Sequence, residues 1–266
     1  MLEILALTYA LALLSGVLIG TISLPMVMSR SIMFALTMLH SILGGAMLGI
    51  YLNVAFGIGI PVPFTATLIA LSLSILAAEL IERGFSEDVA TALSVTIATT
   101  ITIVFSYLSA YISSTAIAEA WTYVAGTSAI ATLDDFIKIL IAVIIVIPLT
   151  HLISKELKYI SFDEDGAKAL GLNIRFYRYL FYGLTALAAS ILSSTIGILI
   201  THVILAVPGA AALRFSRKGA LTYSYLFSMA LMLGGYALAR VINLPPSGGV
   251  GILSGAIILW MVLVKR

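Results

Sequence analysis

The chain has 266 residues, of which 61% are hydrophobic and only 10% are charged, against roughly 45–50% and about 25% in soluble domains. A mean hydropathy of +1.16 cannot be hidden in a water-soluble core, because such a core needs more polar surface around it. The net charge of +2 without a basic block disfavours nucleic-acid binding. The absence of cysteine excludes disulfide scaffolds, thiol catalysis and thiolate metal sites. This is the composition of a polytopic membrane protein.

Apolar stretches long enough to cross the bilayer follow one another along the whole chain, since a span takes about 20 residues. They cover residues 4–28, 31–52, 62–81, 89–112, 134–153, 177–195, 197–213, 219–240 and 247–264. The boundary between the sixth and seventh is weak, so eight spans are the alternative if part of that stretch is broken or re-entrant. The sequence therefore predicts an all-α membrane helix bundle of eight or nine spans, with residues 1–266 forming a single transmembrane domain.

The basic residues predict the orientation. With nine spans and an external N-terminus, only Lys138 and Arg240 of the fourteen Lys and Arg residues fall outside. This strong positive-inside bias predicts a cytoplasmic C-terminus, and Arg30 anchors the first span on the inside. The first stretch lacks a basic leader and is longer than the apolar part of a signal peptide, so it is predicted to be a retained helix.

Two connections are too long to be turns. The outer one, residues 113–133, contains Trp121 and Tyr123, whose rings suit the membrane interface, followed by Gly126. We expect a short re-entrant or interfacial helix there. The inner one, residues 154–176, carries most of the polar chemistry outside the membrane.

The inner connection has the pattern of a short capped helix. Ser161 and Glu164 have the spacing of a capping box, which makes Ser161 the predicted N-cap, and Gly171 is placed to end the helix. This predicts a helix of about ten residues, roughly 15 Å long. It is either an ordinary connector or a peg that docks on a cytosolic partner. The residues expected to carry docking are Ser161, Asp163, Glu164, Ala167, Lys168 and Gly171.

Histidines inside the membrane are the strongest candidates for chemistry. His40 lies about 13 Å deep in the second span, where an imidazole needs a cavity or a partner. It is either a metal ligand or an interhelical hydrogen-bond partner, with Thr37 on the same face to orient its ring. His202, in the outer part of the seventh span, is a weaker metal candidate. His151, at the inner end of the fifth span, is interpreted as an interface residue.

Small residues predict close helix approach at two places. Gly44, Gly45 and Gly49 allow another helix to lie tightly against the second span. Pro208 and Gly209 precede a run of alanines in the seventh span and predict a helix break, a tight crossing or a hinge.

The remaining polar side chains have ordinary explanations. Glu79 and Glu82 end the third span, where a solvated or snorkelling carboxylate is the default. The fourth span carries hydroxyl side chains that either line a pathway or, as we favour, bond back to their own helix: Thr91, Ser94, Thr96, Thr99, Thr100, Thr102 and Ser106. The sequence contains no Walker loop, zinc-protease motif or nucleophile elbow, so no catalytic residue is predicted. Energy for uphill transport must come from an ion gradient or from another subunit.

Three segments together resemble the membrane permeases of ATP-binding-cassette importers for zinc, manganese and iron. They are residues 30–45 (RSIMFALTMLHSILGG), 161–173 (SFDEDGAKALGLN) and 197–215 (GILITHVILAVPGAAALRF). Residues 121–126 and 246–249 match weaker features of the same family. The likeness spans nearly the whole chain, and the order and spacing of the segments make it specific.

The resemblance implies a permease fold of the vitamin-B12/metal-chelate importer type in a prokaryotic cell membrane. It implies two paired permeases, each resting a coupling helix (about residues 163–171) on a cytosolic ATPase that binds the ATP. An extracytoplasmic solute-binding protein would deliver the metal, and alternating access would carry it inward. The chain itself would hold no cofactor. His40 matches the family's histidine in the second helix.

The chain departs from the family pattern at the residues before that histidine. Ala35 and Leu36 stand where the family usually has Gly-Asp, which removes a carboxylate from the neighbourhood of a hard cation. His202 stands where a small or hydroxyl residue is common, and it could partly compensate. The missing carboxylate motivates one alternative, a permease for a metal chelate or organic cofactor. A gradient-driven secondary transporter or channel with no ATPase is a separate alternative.

Overall fold

The computed structural model describes residues 2–29, 31–125 and 131–264, and Arg30, Gly126 and the last two residues lie outside this part. The described residues form α-helices joined by short connections. The helices are α1 (Leu2–Met28), α2 (Ile32–Phe56), α3 (Val62–Glu82), α4 (Glu87–Ile112), α5 (Thr115–Ala125), α6 (Leu133–Phe162), α7 (Glu164–Ala169), α8 (Ile174–Ile196), α9 (Ile198–Ile204), α10 (Val207–Phe215), α11 (Ala220–Val241) and α12 (Pro246–Leu263). Nine segments of the described chain are long and apolar enough to cross a membrane, with α9 and α10 together making the seventh. The predicted all-α membrane bundle is confirmed, and α5 is the short helix expected in the outer connection.

Local signals in the sequence set where the helices begin. The side chain of Ser86 accepts a hydrogen bond from the amide of Val89 at the start of α4, and Thr132 and Asp135 cap α6 reciprocally. Prolines occupy the first turn of α3, α10 and α12, where the missing N–H has no intrahelical partner anyway. Each of these helices therefore begins where its own sequence satisfies or removes the free backbone donors.

Helix α2 lies at the centre of the bundle and packs tightly against α3 and α4. A Cβ atom on Gly45 would lie 2.6 Å from the carbonyl oxygen of Thr65 in α3, and one on Gly44 would lie 2.9 Å from that of Ala98 in α4. Both neighbours are backbone atoms, so neither can rotate away. The close approach predicted from the glycines of α2 is confirmed, and two different helices use it.

One helix break precedes the seventh span and a second one interrupts it. Gly197, at φ 91°, separates α8 from α9, and residues 205–206 form a turn between α9 and α10. Pro208 lies in the first turn of α10. Beside it, the amide of Gly209 donates to Ser23 Oγ of α1 at 2.8 Å, and a Cβ on Gly209 would lie 2.5 Å from the carbonyl oxygen of Ser23. The predicted helix break and tight crossing are confirmed, whereas hinge motion at this point stays a prediction.

The hydroxyl side chains of α4 bond mostly to their own helix. Ser94, Thr96, Thr100 and Thr102 each donate to the carbonyl oxygen four residues earlier. This is how hydroxyls are accommodated in a membrane helix without a water-filled pathway. The interpretation of these residues as helix packing is therefore favoured over a polar conduit along α4.

The glycine contact of α2 predicts a stability difference between two Gly→Ala substitutions. Gly45→Ala forces α2 away from the backbone of α3 and should lower the free energy of unfolding by about 1–3 kcal/mol. Gly183→Ala in α8 meets no atom within 4 Å and should be neutral or stabilising by up to about 1 kcal/mol. Unfolding of the purified protein in mixed micelles measures both, and equal effects would contradict the packing argument.

Candidate functional site

Two histidines face each other inside the membrane between α2 and α9. The ring centroids of His40 and His202 are 6.0 Å apart, with the ring planes at 80°. The residues are 162 positions apart in the sequence, and the short α9 between its two interruptions places the second ring beside the first. Two metal candidates that the sequence could predict only separately thus share one site.

The histidine pair has a spacing that suits a single metal ion. An imidazole nitrogen lies about 2.0–2.1 Å from a bound zinc ion, so two rings on one ion have centroids about 5–6.5 Å apart. The contact of His202 Nδ1 with the carbonyl oxygen of Ile198 at 3.3 Å is a hydrogen bond only when Nδ1 carries the proton. That tautomer leaves the lone pair of Nε2 available as a ligand.

The rest of the pair's surroundings supplies few ligands. Among the described residues, no group of three or more His, Cys, Asp or Glu side chains could hold a metal ion. Ala35 is buried, and the side chain of Leu36 lies outside the described part. The described residues therefore offer the two imidazoles without a third side chain of these types beside them.

Two other polar residues of this region, Thr37 and His151, have hydrogen-bond partners outside the histidine pair. Thr37 was expected to orient His40, but its hydroxyl donates to the carbonyl oxygen of Thr91 at 3.4 Å, because α4 packs closely on that side of α2. His151 lies exposed on α6, where Nε2 is 3.2 Å from the hydroxyl of Tyr225, and it takes no part in the histidine pair.

The predicted inner helix exists, but it begins two residues later and is shorter than expected. Ser161 is not its N-cap, since α6 runs on to Phe162 and the hydroxyl of Ser161 donates to the carbonyl oxygen of Leu157 at 2.6 Å. Asp163 breaks the helix with an extended backbone and accepts from the amide of Gly166 at 2.9 Å. The capping-box prediction is therefore wrong. The resulting helix, α7, has six residues and is about 9 Å long.

The end of α7 follows the sequence signal closely. Gly171 has φ 79°, a conformation that glycine adopts without strain. Its amide donates to the carbonyl oxygen of Lys168 at 2.9 Å, and the amide of Leu172 donates to that of Ala167 at 3.1 Å, the pattern of a Schellman cap. Ala167 is fully buried, so its methyl group packs α7 onto the bundle of its own chain.

Ion pairs connect α7 to two membrane helices. The guanidinium of Arg178 in α8 contacts Glu164 of α7 at 3.3 Å and also pairs with Glu82 of α3. Lys168 pairs with Glu164 at 3.1 Å, and the hydrogen bond that its ammonium donates to that carboxylate raises the pKa of Lys168. Glu82 is thus not the free carboxylate expected from the sequence.

A second set of contacts surrounds Glu79, one turn earlier on α3. Its carboxylate accepts from Arg83 at 3.0 Å, from Arg175 at 2.9 Å and from the hydroxyl of Tyr179 at 2.7 Å. Only the pair with Arg83 has the i, i+4 spacing that a sequence reveals. The contacts to α8 join residues about a hundred positions apart and have no local signal.

The comparisons with known proteins agree with this architecture. All of residues 1–266 match the model of a family described as the ABC 3 transport family. The chain belongs to the ABC 3 transport family. The resemblance to importer permeases drawn from the sequence is thereby confirmed, and membership in a transport family agrees with a transport subunit rather than an enzyme. The chain is a multi-pass permease of the cell membrane.

One similar curated protein is the high-affinity zinc uptake system membrane protein ZnuB of Haemophilus influenzae. This ABC 3 chain is 26% identical to it over 266 residues, which cover 96% of each protein. Among solved structures, PsaBC from Streptococcus pneumoniae in complex with Fab matches with a TM-score of 0.80 at 19% identity, covering 99% of this chain and 92% of that one. A putative metal-chelate type ABC transporter in an inward-facing conformation matches with a TM-score of 0.66 at 18% identity, covering 94% and 84%. These structures confirm the fold of the importer-permease type.

Arg178 should hold α7 against the bundle. Arg178→Gln removes the contacts to both Glu82 and Glu164, so we expect faster amide exchange in residues 163–172. The increase should be up to about fivefold, which is the factor that corresponds to the free energy of one partly exposed ion pair. Arg175→Gln is the matched control, because its partner Glu79 does not contact α7. Hydrogen–deuterium exchange of the purified chain measures the difference, and unchanged exchange in the Arg178 variant would rule out this anchoring role.

Proposed function

We propose that the chain is the membrane permease of an importer for a divalent transition metal, with zinc as the preferred cargo. The observation that carries the metal assignment is the pair of His40 and His202 with a ring spacing that suits one ion. Imidazole ligands favour zinc, whereas manganese and other hard cations favour carboxylates. The zinc uptake named for the Haemophilus influenzae relative supports the same choice.

Transport is driven by a separate cytosolic ATPase. The sequence has no Walker loop of its own, and α7 with its flanking residues is the segment that rests on the ATPase. Membership in the ABC 3 transport family favours this mechanism over the gradient-driven alternative. Two copies of the chain pair in a prokaryotic cell membrane, with the N-terminus outside, the C-terminus in the cytoplasm and an extracytoplasmic metal-binding protein on the outer face.

Motion reaches the histidine pair through contacts between helices. A displacement of α7 acts on α3 through Glu164, Arg178 and Glu82. Helix α3 in turn packs on α2 at Gly45, and α2 carries His40. The break before Pro208 lets α9, with His202, move differently from α10. Alternating access then changes the distance between the two rings and releases the ion.

A free ion fits this site better than the alternative cargo. Two rings with centroids 6.0 Å apart leave room for an ion and water but not for a chelate or an organic cofactor between them. The chelate permease is therefore not favoured. The loss of the family's carboxylate at Leu36 shifts the preference among metals instead of abolishing metal binding.

Removal of either histidine should impair zinc transport. In vesicles that carry all subunits, His40→Ala and His202→Ala should each lower the initial rate of zinc uptake at limiting zinc by about tenfold or more, because loss of even an outer-shell partner of a metal ligand costs about 10–100-fold. His151→Ala, which lies outside the pair, should transport normally. Basal ATP hydrolysis verifies that the complexes are assembled, and normal uptake by the His40 variant would overturn the assignment.

The buried methyl group of Ala167 predicts an uncoupling variant. Ala167→Glu puts an unpaired charge into packed surroundings and should displace α7, lowering substrate-stimulated ATP hydrolysis and transport by about tenfold or more. Ala169→Glu, on the exposed face of the same helix, should retain most of both. Stimulation retained by the Ala167 variant would count against a coupling role of α7.

A further inference from the structure

A cavity lies at the same end of the bundle as α7, between the ends of α1 and α6 and the connection from α10 to α11. Its volume is about 650 Å³. Four basic side chains line it, Lys155 and Lys158 from α6 and Arg217 and Lys218 from the connection. Ser154 and Ser161 of α6 also line it. No residue of the histidine pair lines it.

The cations of this cavity are not neutralised within the described part of the chain. Other basic residues at this end, such as Lys168, Arg175 and Arg178, have carboxylate partners, whereas none of the described carboxylates forms an ion pair with any of the four cavity cations. No acidic side chain is among the lining residues, although Glu156 lies between the two lysines in the sequence. A concave site lined by one sign of charge attracts an anion.

The remaining walls of the cavity are apolar. Leu24, Pro25 and Met28 of α1 and Leu221 of α11 line it. Along α6, Leu152 is 74% exposed and lies one turn deeper in the membrane than Lys155, on the same face. A ligand that matches both the basic side chains and the apolar walls of the cavity has an anionic group and a hydrocarbon chain.

We propose that this cavity binds an anionic phospholipid, with its phosphate among Lys155, Lys158, Arg217 and Lys218. One acyl chain lies along α6 over Leu152. In the proposed orientation the cavity opens at the cytoplasmic leaflet, where anionic headgroups meet basic pockets between membrane helices. The bound lipid braces the end of α6, which leads directly into α7, against the connection to α11.

The test measures lipid binding to the full-length purified chain by native mass spectrometry. Phosphatidylglycerol and phosphatidylcholine are titrated separately, with inorganic phosphate and glycerol phosphate as soluble competitors. The test variant is Lys155→Gln with Arg217→Gln. The matched control is Lys138→Gln with Arg240→Gln, which removes the same charge from the opposite ends of α6 and α11. A third variant, Lys155→Arg with Arg217→Lys, keeps the charge and guards against misfolding.

The expected result is preferential binding of phosphatidylglycerol that weakens about tenfold or more in the test variant, because each cation near an anionic headgroup contributes about a fivefold factor. The control and the charge-keeping variant should bind like the parent. If lipid binding weakens equally in the control variant, the site is overturned, because the loss of binding then follows from the lower net charge. Displacement of the lipid by inorganic phosphate overturns the lipid in favour of a soluble anion. Unchanged lipid binding in the test variant also overturns it.

Discussion

The close approach of α2 to α3 and α4 is the constraint on which the candidate site depends. Between membrane helices there is no hydrophobic driving force, so packing and hydrogen bonds must hold them together. Gly44 and Gly45 allow two backbones within contact of α2, and Thr37 adds a hydrogen bond to α4. Because these contacts are to backbone atoms, the position of His40 is fixed by the helices themselves and not by flexible side chains.

The interrupted seventh span supplies the other half of the site. Irregular backbone at membrane depth is tolerated only where protein buries it or where it lines a cavity, and Leu205 in the break is 1% exposed. The interruption costs helix hydrogen bonds, but it allows α9 to lie beside α2 while α10 packs on α1 through Gly209. Discontinuous helices of this kind often form the binding sites of transporters.

Much of the fold was predictable because its signals are local. Apolar length gave the spans, glycines gave the close crossings, and Gly171 gave the end of α7. The start of α7 was missed because Ser161 and Asp163 both suit an N-cap, and the choice depends on how far α6 continues. The pairing of His40 with His202 and of Arg178 with Glu82 joins distant segments, so no spacing in one sequence could have predicted either contact.

The ion pairs of Arg178 connect the short helix α7 to α3 of the membrane bundle. The Arg178 side chain is 16% exposed and contacts carboxylates on both α3 and α7, so moving either helix alone breaks a partly desolvated contact. Helix α3 is backed directly by α2, whereas α9 is separated from α8 by Gly197 and from α10 by a turn. In the proposed coupling, a push on α7 therefore moves α2 more readily than α9, and the distance between the two histidine rings changes.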